Sequence, residues 1–205
     1  MTAFVIIRHG ESEANLYRRH AGQQDVPLSP LGHAQAACMA EYVAKHFRID
    51  AIYSSDLSRA RDTARPLAER LGLPIRERSD LREISVGNWQ GRPFDEVAAK
   101  EPALYASYHA APGLFTFPGG ESFAALAARG ARAFAAMAAE NEGKTVAVAT
   151  HGGLIRTLCC TWQGWPLSRY GELAPFSNTS LTVIRYDGGQ VELLRVNDTA
   201  HLQTL

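Results

Sequence analysis

Three short apolar runs, Ala3-Phe4-Val5-Ile6-Ile7, Ala51-Ile52-Tyr53-Ser54 and Thr145-Val146-Ala147-Val148-Ala149-Thr150, constrain this chain more than any other feature. Each is short for a helix and lacks the polar alternation of a strand with one wet face. Each therefore predicts a strand buried on both faces of a sheet. Amphipathic stretches separate them. Pro30 to about Phe47 reads as a helix with Ser29 as N-cap, and Leu57 to Leu71 as a second, closed by Gly72, with Pro66 as a candidate kink. Ser122 caps an alanine-rich helix to Glu140, and Leu154 to Trp162 reads as a fourth. Thr179 to Tyr186 and Val191 to Val196 form a hairpin around Asp187-Gly188-Gly189. This order predicts an α/β fold, a three-layer αβα sandwich with a mixed, mainly parallel central sheet.

With 205 residues, 46% of them hydrophobic, the chain suits one domain over 1–205. Between Leu81 and Gly119 the periodicity weakens around Pro93, Pro102, Pro112 and Pro118. A loop-rich excursion over about 84–120, holding a short helix, is expected there, of the kind that covers active sites. A formal net charge of +0 and a pI near 7.1 give no basis for a nucleic-acid or membrane partner. The opening residues lack a basic segment followed by a long apolar run, so a cytoplasmic location is expected. Cys38, Cys159 and Cys160 have no metal or redox spacing and read as small hydrophobes. Nothing in the sequence fixes an oligomeric state.

The first and third apolar runs end alike, in Arg8-His9-Gly10 and Thr150-His151-Gly152-Gly153. In sheets of this type ligands bind beyond the carboxyl ends of the strands, so both imidazoles are expected on one rim, with Gly152 allowing close approach. Arg8 precedes His9, and Arg59 falls in the first turns of the second helix, with Ser55 or Asp56 as its N-cap, where free amides favour an anion. Two arginines and two histidines can surround a small tetrahedral anion. His20, His33, His46, His109 and His201 lack such settings and read as surface or packing residues. Gly143-Lys144-Thr145 precedes a strand where a phosphate-binding loop follows one, which argues against a nucleotide hydrolase.

Taken in order, Arg8-His9-Gly10-Glu11-Ser12-Glu13-Ala14-Asn15, Gly22-Gln23-Gln24-Asp25, Ser54-Ser55-Asp56-Leu57-Ser58-Arg59, Leu81-Arg82-Glu83, Pro118-Gly119-Gly120-Glu121-Ser122 and Thr150-His151-Gly152-Gly153 resemble the histidine phosphatase superfamily, in its phosphoglycerate-mutase-like branch. The resemblance spans nearly the whole chain. It implies a phosphomonoester hydrolase working through a phosphohistidine, without metal or cofactor, on a small phosphorylated metabolite. It implies His9 as nucleophile, Arg8, Arg59 and His151 around the phosphoryl group, Asn15 as a further ligand, and Gly22, Gln24 and Gly152 as binding positions. Glu83 resembles the proton donor; from the residues alone it reads rather as a partner of Arg82 or another surface arginine. The sequence does not name the substrate, and it leaves open how Arg18, Arg19 and residues 92–118 bear on selectivity.

Two other functions fit the same frame. A cofactor-dependent phosphoglycerate mutase needs extra cations for a second phosphate, and Arg92 to Gly119 offers only Arg92 and Lys100. A non-catalytic phospho-ligand binding module would usually have lost one of the five central residues, and all are present. Gly87-Asn88-Trp89-Gln90-Gly91 and the ending Asn197-Asp198-Thr199-Ala200-His201-Leu202 resemble the broad-specificity, α-ribazole and phosphoserine phosphatase group.

Overall fold

A computed structural model describes residues 1–203. The three apolar runs become β1 (Thr2–Arg8), β2 (Ala51–Ser55) and β4 (Thr145–Thr150), joined by β3 (Ile75–Arg78), β5 (Leu181–Asp187) and β6 (Gln190–Asp198). They form one sheet in the order β3-β2-β4-β1-β5-β6. The first four strands of that order run parallel, β5 runs antiparallel to β1, and β6 pairs antiparallel with β5 and so returns to the direction of the first four. The helices are α1 (Glu13–Leu16), α2 (Pro30–His46), α3 (Ser58–Leu71), α4 (Phe94–Lys100), α5 (Pro102–Ala110), α6 (Phe123–Glu140) and α7 (Gly152–Trp162).

Alternating strand residues point to opposite faces, and two cores result. Val5, Ile7, Ile52, Ala147 and Ala149 pack with Met39 and Val43 of α2 and with Ala64 and Leu67 of α3. Phe4, Ile6, Tyr53, Val146 and Val148 pack on the other face with Phe134 and Met137 of α6 and with Leu154 and Leu158 of α7. Each large side chain buried this way contributes about 1.5–3 kcal/mol. Two full layers of helix on a two-sided sheet is the architecture expected from the sequence. Among the described residues no helix is long and apolar enough to cross a membrane.

Several elements differ from expectation. β3 was not foreseen, because Arg76 and Glu77 are exposed on an edge strand that needs no apolar run. The excursion holds two helices, α4 and α5. α3 runs unbroken through Pro66. Ser29 and Ser122 cap α2 and α6 as expected, their hydroxyls accepting from Gly32 N at 3.0 Å and Ala125 N at 3.1 Å. Neither Ser55 nor Asp56 is the N-cap of α3. Leu57 holds that place, and Asp25 Oδ1 accepts from the Ser58 amide at 2.7 Å while Asp56 pairs with Arg82. α7 begins at Gly152, two residues before the predicted start, and this shift shapes the site.

Candidate active site

In the parallel pair β1 and β4, Arg8 stands opposite Thr150, so the residues that follow emerge side by side. His9 N donates to Thr150 O at 2.8 Å, and the His9 and His151 rings lie 5.2 Å apart. Both rings are buried. His9 Nδ1 is 2.7 Å from the Gly10 carbonyl. A carbonyl oxygen only accepts, so Nδ1 carries the proton and Nε2 keeps its lone pair free. His151 Nε2 meets Ser55 Oγ at 2.9 Å. Ser55 Oγ also accepts the Leu57 amide, and with its own hydrogen turned to Nε2 it fixes the His151 tautomer. The proton of neutral His151 then sits on Nδ1, which is buried and has no protein partner.

Burial first, then the Arg59 and Arg8 charges, hold the His9 imidazole well below its ordinary value of 6.5. His151 is lowered for the same reasons, with His9 as a further neighbour. His20 falls to about 4 and His201 is also lowered, burial being the first cause in both. All four bind protons more readily unfolded than folded, so the stability they lend is present above pH 6.5 and is lost as pH falls below it. The thermal midpoint is expected to drop between about pH 7 and pH 5, ahead of carboxylate titration. A level or rising midpoint in that window contradicts the assigned charge states.

Arg8 and Arg59 bring positive charge to these rings. Arg59, in the first turn of α3, is 1% exposed, and its guanidinium donates to the carbonyls of Gln24 at 2.8 Å and Gly22 at 2.7 Å. Burial lowers its pKa to about 10, which leaves it cationic at neutral pH. Arg8 Nη1 donates to the Phe176 carbonyl. In both arginines Nε is buried without a partner. Asn15 Oδ1 accepts from Ser12 N at 3.1 Å and Ser12 Oγ at 3.0 Å, which leaves its NH2 group for the cavity. Among the described residues no group of three or more His, Cys, Asp and Glu side chains is placed to hold a metal ion.

Glu83 does not pair with Arg82, which is engaged by Asp56 through two bonds of 2.7 and 2.6 Å. Its carboxylate instead reaches the N-terminus of α7. Oε2 accepts from Gly153 N at 2.9 Å, and Oε1 from Leu154 N at 3.2 Å and Ile84 N at 2.9 Å. The early start of α7 supplies these otherwise unpaired first-turn amides. The loop carrying Glu83 is clamped by Arg129, which donates to the carbonyls of Asp80, Arg82 and Glu83 and to the Glu121 carboxylate.

Close contact makes Gly153 a sensitive position, since a Cβ there would stand 2.4 Å from Glu83 Oε1. Gly153→Ala is therefore expected to displace the carboxylate and to lower turnover of alkyl phosphates by about tenfold or more, with a melting shift of only a few degrees. Unchanged turnover would show that the site tolerates a moved Glu83.

A cavity of about 360 Å3 opens over this floor. Its lining includes Arg8, His9, Asn15, Gly22, Arg59, Glu83 and Gly152, while His151 is fully buried beside the His9 ring and does not itself line the cavity. Gln24 is absent from the lining. It is exposed, and it serves the site only through the carbonyl that holds Arg59. Phe94, Tyr108 and Phe117 from the excursion, with Phe123, Tyr170 and Phe176, make an aromatic wall. His20, expected as a surface or packing residue, packs against Trp89 and Phe94 and also lines the cavity. Arg19 lines it too, whereas Arg18 does not. Arg156 was missed. It lies four residues beyond Gly152 on α7, and that helical spacing places it on the same face.

Comparison with known proteins gives this geometry its relatives. The pattern of the histidine phosphatase superfamily (branch 1) matches residues 4–199. A metal-independent phosphoserine phosphatase of Arabidopsis thaliana is 34% identical over 207 residues, spanning 100% of this chain and 85% of its own. Bacillus stearothermophilus YhfR superposes with a TM-score of 0.94 at 31% identity, covering 99% of this chain and 100% of its own. A mycobacterial glucosyl-3-phosphoglycerate phosphatase in complex with VO3 superposes with a TM-score of 0.88 at 32% identity, covering 96% of this chain and 99% of its own. With the match running through both histidine strands, the arginine helix and the glutamate loop, the chain belongs to the histidine phosphatase superfamily, branch 1.

Proposed function

We propose that this protein is a phosphomonoester hydrolase that carries the phosphoryl group on His9 between a small phosphorylated metabolite and water. One observation carries the reading: Arg8 Nε, Arg59 Nε and His151 Nδ1 are buried without protein partners, around an imidazole that keeps one nitrogen free. A buried donor left unpaired costs about 1–3 kcal/mol. Three such donors beside one nucleophile are matched by a ligand with several acceptor oxygens, and a phosphoryl group has that form.

In this mechanism Nε2 of neutral His9 attacks phosphorus while the ester oxygen departs in line. The P–N bond forms as the P–O bond breaks, and the charge spread over the equatorial oxygens faces Arg8, Arg59, His151 and Asn15. Two guanidinium groups supply the positive charge. Glu83 in its acid form gives a proton to the departing oxygen. Then, as a carboxylate, it takes one from the water that attacks phospho-His9, which regenerates both groups. The excursion over residues 84–120 covers this chemistry with its aromatic side chains. The relatives support the hydrolase reading, since two of those named above are phosphatases, one of phosphoserine and one of glucosyl-3-phosphoglycerate.

Hydrolysis is favoured over mutase action by the fate of the excursion's cations. Arg92 is paired with Glu96 and Glu101, Lys100 with Glu96, and neither lines the cavity. A second phosphate would find little there to retain it. Incubated with 3-phosphoglycerate in EDTA, the protein is expected to release inorganic phosphate in large excess over 2-phosphoglycerate. Dominant isomerisation stimulated by bisphosphoglycerate would establish the mutase. Binding without release of phosphate would establish the non-catalytic module.

A further inference from the structure

Glu83 stands in residues 82–86, a stretch that is neither helix nor strand. Such a segment has no ladder of its own to occupy its main-chain groups. Here four consecutive carbonyls are taken by side chains from elsewhere in the chain. Arg129 Nη1 donates to Asp80 O at 2.9 Å and to Arg82 O at 2.8 Å, Thr150 Oγ1 to Leu81 O at 2.7 Å, and Gln23 Nε2 to Glu83 O at 3.0 Å. Arg129 Nη2 joins Gln23 on the Glu83 carbonyl at 3.2 Å and donates to Glu121 Oε2 at 2.8 Å, while its Nε donates to Glu121 Oε1 at 3.0 Å. A guanidinium has five N–H donors, and in Arg129 all of them are engaged.

Glu121 ties the end of the excursion to the same loop. Its Oε2 accepts from Ser85 N at 2.9 Å, and its amide donates to Ser85 O at 2.8 Å. Gly120 comes so near that a Cβ there would stand 2.3 Å from Ser85 O. Arg129 does not line the active-site cavity, so whatever it does for the chemistry it does through the loop it holds.

We propose that Arg129, held by Glu121, is a positioning residue for Glu83: it fixes the main chain on either side of the acid so that the carboxyl group meets the departing oxygen. The inference rests on the hydrolase reading and adds to it a residue that acts without touching substrate. Arg129 holds the Glu83 main chain, and the Gly153 and Leu154 amides of α7 hold its carboxylate. A reacting group misplaced by about 1 Å slows a reaction by on the order of a hundredfold. Loss of Arg129 therefore harms the esters whose departing oxygen needs the proton and spares those that leave unaided.

The test starts from Arg129→Met, which keeps the stem and removes every donor. In the pre-steady-state burst, phosphorylation of His9 by an alkyl phosphate is expected to slow by about 10- to 100-fold, and by p-nitrophenyl phosphate by less than about threefold. Arg129→Lys keeps the charge but has three donors and no fork, so it is expected to fall between, and it provides the reading if the methionine variant does not fold. Because the effect runs through Glu83, adding Arg129→Met to Glu83→Gln is expected to slow the alkyl burst by no more than about twofold further. Amide exchange gives a readout without turnover. With the carboxylate less well placed, the Gly153 and Leu154 amides are expected to exchange about tenfold faster than in the wild type, while amides of β1 and β4 keep their protection. A wild type that releases no phosphate from either ester counts against the hydrolase reading, and the exchange measurement then decides the positioning role by itself. Equal slowing for the two esters, full additivity with Glu83→Gln, or unchanged exchange at Gly153 and Leu154 would overturn it.

Discussion

Replacing His9 by alanine is expected to lower turnover of every phosphomonoester by about ten-thousandfold or more, the scale seen when a covalent nucleophile is lost. Substrate binding should change far less, within about tenfold. The reason lies in which groups remain. Arg8, Arg59 and Asn15 keep their positions through contacts that do not involve the His9 ring: Arg59 through the Gly22 and Gln24 carbonyls, Arg8 through Phe176, Asn15 through Ser12. The His9 backbone is itself held by Thr150 and by Asn178 Nδ2, which donates to its carbonyl at 3.0 Å. Steady-state release of phosphate and calorimetric binding of a slow ester check the two halves. Loss of binding equal to the loss of turnover would show that the imidazole organises the cradle and leaves the nucleophile unidentified.

Glu83→Gln is expected to divide substrates by leaving group. A glutamine whose Oε1 takes the place of the carboxylate Oε1 keeps the bonds from Ile84 and Leu154 and loses the one from Gly153. That structural loss is about 1–3 kcal/mol. The proton is lost altogether. For an alkyl phosphate, whose departing alkoxide needs that proton, phosphorylation of His9 should slow by about a hundred- to ten-thousandfold. An aryl phosphate with an acidic phenol leaves unaided, so its phosphorylation step should fall much less. Because Glu83 also serves the attack of water on the phosphoenzyme, the comparison is made on the pre-steady-state burst. Equal losses for both esters would make Glu83 a residue that places substrate, with the acid elsewhere.

How much of this was legible in the sequence depends on what each residue does with its side chain. β1, β2 and β4 could be read because a strand buried on both faces must be apolar throughout. Their ends located His9 and His151 for the same reason. β3 could not be read, since an edge strand with Arg76 and Glu77 in water has no compositional mark. Gly22 lines the cavity, but Gln24 does not and serves Arg59 through a main-chain carbonyl, which any residue carries. The clamp on Glu83 was equally hidden, because Arg129 reaches it from α6 across 46 residues of sequence. Arg156 was within reach: a helix placed from Gly152 puts an arginine one turn beyond the phosphoryl site. The predicted start at Leu154 obscured it, and the same two-residue error concealed the amides that receive Glu83.

The central claim is that the phosphoryl group rests on Nε2 of His9. Mixing enzyme with substrate, quenching within the first turnover into alkali, where phosphohistidine survives, and mapping the phosphorylated peptide tests it directly. The phosphate is expected on the peptide holding Arg8-His9-Gly10, at an amount that rises with the burst and decays as phosphate is released. Phosphate on the peptide holding His151, or turnover at full rate with no phosphoenzyme at any time, would contradict the account.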